Sequence, residues 1–344
     1  MMTNGTQPVT FFVPDEPILA ELIGIDPDRD WQVLRNGQRW LLQTYLRLAR
    51  AGLPVRVTSE PSTDGVVVFF ARHHRLVRKA INGHCNPVLV GIRGDKNEKA
   101  VADFEIVQNG RWADHSRRFF IPYWPQPGLI PRDPARGARV ERVAFKGFDL
   151  NLHEYFFGDE WGRWLEGHGL EWSHDSMQYE DSENTGVTVD WHDYRKVDAI
   201  LALRPDPRRF RRYEKRGHTH KPATKLYNAW HAGAPAILGP EYAFRELRQS
   251  KDDYIEISRP EEAKAAVLLL RSDPDLYRRM VENGTRRARD FSHDRIIEMW
   301  ADLLFDRLPR LTEQRGVRFA LQMPVGVRSR VRSMSRRLMR RVQR

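Results

Sequence analysis

Short apolar runs alternate with longer stretches of three-to-four-residue periodicity through most of the chain. Val9–Val13, Val55–Val57, Val66–Phe70, Val88–Ile92, Phe104–Val107 and Phe119–Ile121 read as strands. Between the first two, Leu34, Leu41, Tyr45 and Leu48 fall on one helical face, with Gly52 at the stop, and Arg72–Asn82 predicts a further helix. Strands interleaved with helices favour βαβ units and a parallel sheet. Tyr123–Arg139 interrupts the rhythm with four prolines and two glycines and reads as an interdomain crossing. A second alternating series follows, with strands at Val143–Phe145, Ala199–Leu203, Pro235–Leu238 and Tyr254–Ile257. Its helices are His153–Glu166, Lys221–Ala232, Glu261–Arg271, Asp273–Asp290 and His293–Leu308. The expected architecture is α/β: Rossmann-like domains over residues 1–130 and 131–310, then a tail over 311–344.

Composition fits two folded domains. The 344 residues are 40% hydrophobic and 30% charged, which suits a globular rather than a disordered chain. A single cysteine, Cys85, excludes an intrachain disulfide framework and a four-cysteine zinc site. No signal peptide is read at the start, and no window approaches the ~18 apolar residues of a membrane span, so the expected location is cytoplasmic. The net charge of +11 changes the picture once it is placed. Residues 315–344 hold ten arginines and no Asp, Glu or Lys, leaving +1 for residues 1–314.

The most informative stretch is Lys221–Gly239, KPATKLYNAWHAGAPAILG. Pro222 suits the first turn of a helix, and Lys221, Thr224, Lys225 and Asn228 are spaced to share one face of it. Positive side chains then surround a helix N-terminus, which attracts anions through free N–H groups and the helix dipole. Gly233 can end the helix in a left-handed conformation, Pro235 blocks its continuation, and a buried strand leads to Gly239 and Glu241. The approach is also basic: between Arg204 and Lys225 stand nine Lys/Arg and two acids. Arg204 follows a strand end, where ligands of α/β sheets bind. The intervening RRFRRYEKR reads as a solvated loop.

TKLYNAWHAGAPAILGPE resembles the donor-site segment of GT-B glycosyltransferases, a lysine-led helix, glycine turn and apolar strand with an acidic residue after it. The resemblance spans about Lys221–Leu304, and its Asn228 is shared with fucosyltransferase-like segments. It implies two Rossmann-like domains facing across a cleft, with the last helix returning toward the N-terminal domain. It also implies that Lys225 faces the donor diphosphate, and that Asn228 and His220 stand where many members carry a glutamate pair. Lys146 and Gly147 match the place where such enzymes approach the sugar or phosphate. The donor-binding set is thus Lys146, Gly147, Arg204, Lys221, Thr224, Lys225, Asn228, Gly239 and Glu241. GT-B enzymes generally neutralise donor phosphates with basic residues, so no metal or cofactor is expected; the nucleotide sugar, UDP- or GDP-linked, is substrate.

An inverting transfer needs a general base, and the N-terminal half offers candidates after its strand ends: Asp15, His74 and Asp95, with Glu16 and His73 behind them. Each also reads as a turn or cap residue. Metal-ligand signals are poor: His218-x-His220 and His73–His74 lack a third ligand at a recognisable spacing. In the tail, Val327, Val331, Met334, Leu338 and Val342 form a narrow helical stripe with arginines on the flanks and back. That pattern suits an interfacial helix on anionic lipid, with a disordered tail or nucleic-acid binding as alternatives. Aromatic residues are nearly absent there, which argues against nucleic acid. The expected function is transfer of a sugar to an acceptor hydroxyl on a glycan or lipid-linked molecule. The alternative is a non-catalytic nucleotide- or nucleic-acid-binding protein.

Overall fold

The apolar runs form the strands of two separate parallel sheets in a computed structural model. It describes residues 8–14, 16–22, 24–31, 39–84, 86–94, 102–177, 189–205, 220–314, 317 and 320–342. The chain divides into two compact units, one of Met1–Asp30, Gln38–Tyr123 and Asp294–Arg344, the other of Trp31–Gly37 and Trp124–His293. The change of unit at residues 123/124 falls within the proline-rich stretch, and residues 294–344 group with the first unit.

In the first unit, β1 (Val9–Phe12), β2 (Val55–Thr58), β3 (Val66–Phe70), β4 (Val88–Ile92), β5 (Phe104–Val107) and β6 (Arg118–Phe120) lie in the order β2-β1-β3-β4-β5-β6, all parallel. Every residue of β1, β4 and β5 is buried, as expected of parallel strands covered on both faces. The helices α1 (Glu16–Glu21), α2 (Arg39–Arg50) and α3 (His74–Ala80) follow β1, precede β2 and follow β3. Trp300, from α9 (His293–Ala301), is fully buried against the rings of Phe11 and Trp40. The chain then passes through a π-helical stretch, Asp302–Arg307, into α10 (Leu308–Glu313).

The basic tail forms a helix over Val325–Val342. Val325 belongs to the core cluster that includes Phe12, Val67, Phe69 and Leu89. Arg328 is 1% exposed; it donates to the carbonyls of Leu321 and Pro87, and with Arg332 it pairs with buried Asp103. This corrects the sequence expectation for the arginines, because the helix turns Arg328 and Arg332 inward. Val327, Val331 and Met334 are exposed, and the side chains of Leu338 and Val342 lie outside the described residues.

In the second unit, β7 (Arg142–Phe148), β8 (Glu171–Met177), β9 (Ala199–Ala202), β10 (Ala236–Leu238) and β11 (Ile255–Glu256) are parallel in the order β11-β10-β9-β7-β8. The strand β8, EWSHDSM, escaped the sequence reading because it has no apolar run. The helices are α4 (Asp159–Gly167), α5 (Thr224–Ala232), α6 (Tyr242–Leu247), α7 (Glu262–Ser272) and α8 (Pro274–Ala288). Asp198, fully buried at the start of β9, takes the guanidinium groups of Arg132 and Arg136 and the N–H groups of Glu141 and Arg142. One carboxylate thereby ties the proline-rich crossing to the N-terminal end of the central strand β9.

Candidate donor site

The chain passes from β7 outward to β8, then crosses back over β7 to β9. Loops leaving the C-terminal ends of β7 and β9 therefore run to opposite sides and open a crevice, the place where doubly wound sheets bind ligands. The residues after β7, β9 and β10 converge on that edge with the start of α5.

Helix α5 begins at Thr224, three residues later than the Lys221 start expected from sequence, so Lys221 precedes the helix instead of sharing its face. Ala223 at the N-cap supplies no side-chain acceptor. Among the described residues, no side chain caps the first N–H groups of the helix, those of Thr224 and Lys225. Gly233 closes the helix in the left-handed conformation (φ 67°), as its sequence position predicts.

Lys225 reaches from the first turn to the end of β7. Its Nζ donates to the Lys146 carbonyl at 2.5 Å and sits 4.4 Å from the centre of the Phe145 ring. Gly147 makes that approach possible, because a Cβ there would lie 2.6 Å from Nζ. Burial pushes the Lys225 pKa down to about 7; the nearby Arg204 charge adds to the fall and Glu241 opposes it. An amine near half protonation at pH 7 with the Arg204 cation nearby is stabilised in its charged form by an anion placed beside it.

Arg204, just past β9, donates through Nε to Glu241 Oε1 at 2.9 Å and through Nη1 to Asn151 Oδ1. Arg204 and Glu241 are only 10% and 6% exposed as side chains. The second oxygen of Glu241, Oε2, is buried with no hydrogen-bond partner, an acceptor aimed at no protein group. Gly239 lies directly against Leu203, where a Cβ would meet its Cδ1 at 2.9 Å, so the exit of β10 stays close to the exit of β9.

The sequence-predicted residues therefore divide. Gly147, Arg204, Thr224, Lys225, Gly239 and Glu241 come together at one sheet edge. Lys146 contributes its carbonyl only: its side chain turns to its register partner Asp175 (2.5 Å) and to the Asp190 carbonyl (2.7 Å). Asn228 lies one turn deeper on α5, and its Oδ1 accepts the Gln126 N–H at 2.9 Å, leaving its amide nitrogen as donor. Asn151, which orients Arg204, was missed; its only sequence signal was a polar residue soon after a strand end. A cavity of about 660 Å³, lined by Trp230, Gly233 and Tyr277, lies toward the opposite end of α5 and shares none of these residues.

Of the candidate bases, Asp15 and Asp95 lie outside the described residues. His74 opens α3 in the first unit, with Nδ1 2.9 Å from the Ala71 carbonyl. A carbonyl only accepts, so Nδ1 carries the proton and Nε2 is the basic nitrogen of the neutral ring. His73 is held neutral, with burial, aided by Arg72, pushing its pKa down to about 4.

Two parallel doubly wound sheets, in the orders given above, match solved structures over nearly the whole chain. The sucrose-phosphate synthase of Thermosynechococcus elongatus superposes with a TM-score of 0.53 at 12% identity, covering 88% of this chain and all of that one. The chain has the GT-B fold. Anabaena Alr3699/HepE in complex with UDP-glucose matches this GT-B chain at 10% identity with a TM-score of 0.48, covering 87% and 99% of the two chains. A Staphylococcus aureus TarM variant in complex with fondaparinux, α-GlcNAc-glycerol and UDP gives a TM-score of 0.47 at 10% identity. That match covers 78% of this GT-B chain, which spans only 59% of TarM. No protein-family model and no curated protein sequence matches it.

Proposed function

We propose that this GT-B chain is a glycosyltransferase that moves a sugar from a nucleoside-diphosphate donor to an acceptor hydroxyl. One observation carries the reading: Lys225, Arg204 and the uncapped N-terminus of α5 meet at the switch point of a doubly wound sheet. Breaking the bond from the anomeric carbon to the donor puts negative charge on the departing diphosphate. Lys225, protonated as that charge arrives, and the first N–H groups of α5 are fixed in advance where it develops. Arg204, pre-oriented by Glu241 and Asn151, adds a second cation. Glu241 Oε2 and the Asn228 amide nitrogen are available to donor hydroxyls.

The donor sugar is of hexosyl or fucosyl type on UDP or GDP, and the acceptor is a glycan or a lipid-linked molecule. The exposed stripe of Val327, Val331 and Met334 on an arginine-rich helix supports a peripheral position on the cytoplasmic face of a membrane. Among the described residues no helix is long and apolar enough to cross one. The test is a thermal-shift and turnover panel of UDP-, GDP-, ADP- and CMP-sugars. Stabilisation by one nucleotide class, with sugar released or transferred, is the expected result. No stabilisation by any donor would remove the transferase reading, and stabilisation without turnover would favour a nucleotide-binding protein.

A further inference from the structure

A cavity of about 170 Å³ lies where the C-terminal helix meets the first unit, lined by Ala102, Asp103, Arg117, Arg328, Val331 and Arg332 among others. We propose that this cavity binds the phosphate of an anionic phospholipid headgroup. The inference rests on the membrane-facing reading of the C-terminal helix and is independent of sugar transfer.

The charges around the cavity do not balance. Asp103 is 1% exposed, accepts the Leu89 N–H at 2.8 Å and faces both Arg328 and Arg332. The other acid on the wall, Glu105, is engaged by Arg93 at 3.7 Å. Arg117, on the exposed loop before β6, adds a third guanidinium. Among the described residues, Arg117, Arg328 and Arg332 thus all act on Asp103, and Asp114 acts on Arg117 as well. Partial burial and the neighbouring Arg332 charge lower the Arg117 pKa, and Asp103 and Asp114 oppose the fall. A phosphate takes up such an excess with short, charge-assisted hydrogen bonds.

The surroundings select the source of that phosphate. Val331 lines the cavity and is 49% exposed; with Val327 and Met334 it forms an apolar stripe on the helix face adjoining Arg328 and Arg332. A phospholipid offers a phosphate and, within the same molecule, acyl chains for such a stripe. A soluble phosphate offers nothing to it.

The test is sedimentation of the full chain with phosphatidylcholine vesicles, with and without phosphatidylglycerol, comparing the wild type with Arg117→Gln, Arg330→Gln and Val331→Asp. The wild type is expected to sediment with the phosphatidylglycerol vesicles alone. Arg117→Gln should weaken binding about tenfold, the loss of a charge-assisted pair, against about fivefold at most for Arg330→Gln, an exposed charge near the surface. Equal losses in these two variants would mean delocalised attraction and overturn the pocket. Loss in Val331→Asp with wild-type binding in Arg117→Gln would keep the membrane reading and also overturn the pocket. No wild-type sedimentation overturns both. Thermal stabilisation by free glycerol 3-phosphate without vesicle binding would overturn the lipid assignment. Arg117 is exposed, so its substitution leaves the fold intact, which a thermal melt verifies.

Discussion

Replacing Lys225 by methionine should abolish sugar transfer and make the folded protein more stable at acidic than at alkaline pH relative to wild type. Lysine and methionine side chains are similar in length and shape, so α5 keeps its packing. What changes is a charge whose pKa falls from 10.5 to about 7 on folding. Below pH 7 the folded wild type carries a half-buried ammonium at full cost. Between about 7 and 10.5 the unfolded chain binds more protons than the folded one, so wild-type stability rises with pH across that window. At about 1.4 kcal/mol per unit, the difference between variant and wild type should shift by roughly 2.5 kcal/mol from pH 6 to pH 9, in favour of wild type. Other titrating groups cancel in the comparison. Two denaturant melts at each pH measure it, and the donor assay runs on the same samples. A stability difference that stays flat from pH 6 to pH 9 would refute the half-buried-ammonium argument. Full turnover in the variant would refute the role of Lys225 at the diphosphate.

Gly147→Ala should displace Lys225 by placing a methyl 2.6 Å from its Nζ, weakening donor binding about tenfold or more at a cost of about 1–3 kcal/mol in stability; donor titration calorimetry and melts separate the two. Arg204→Ala should lower turnover far more than it raises KM, because its charge pairs with the diphosphate as it departs; an unchanged kcat would show that Arg204 only holds Glu241. Asp103→Ala leaves Arg328 and Arg332 without their carboxylate and should cost about 3–5 kcal/mol, read as early proteolytic loss of the C-terminal helix. As pH rises from 6 to 8, donor affinity should weaken, because the diphosphate favours the protonated Lys225 and that group loses its proton near pH 7; pH-independent donor affinity would contradict the contact.

The sequence by itself determined the two parallel sheets, because runs such as VTFF and VVVFF are apolar on both faces and only a sheet covered on both sides buries them. It also determined the helix–glycine–strand unit around α5, since Gly233 is the residue that most readily takes the left-handed stop. These features depend on residues within a few positions of one another. The tertiary structure alone decided which way long cationic side chains point. Lys146 turns its ammonium to Asp175 across a strand pair and gives the site its carbonyl, while Lys225 arrives from 79 residues away to use it. Arg328 turns inward because Asp103 and the Pro87 carbonyl, 241 residues earlier for the latter, are buried where it docks. Strand β8 is hidden in the sequence for a similar reason: EWSHDSM has no apolar run and is held by its pairing with β7. Local pattern encodes periodicity and average burial, whereas the partner of a flexible charged group is set by whatever the fold brings next to it.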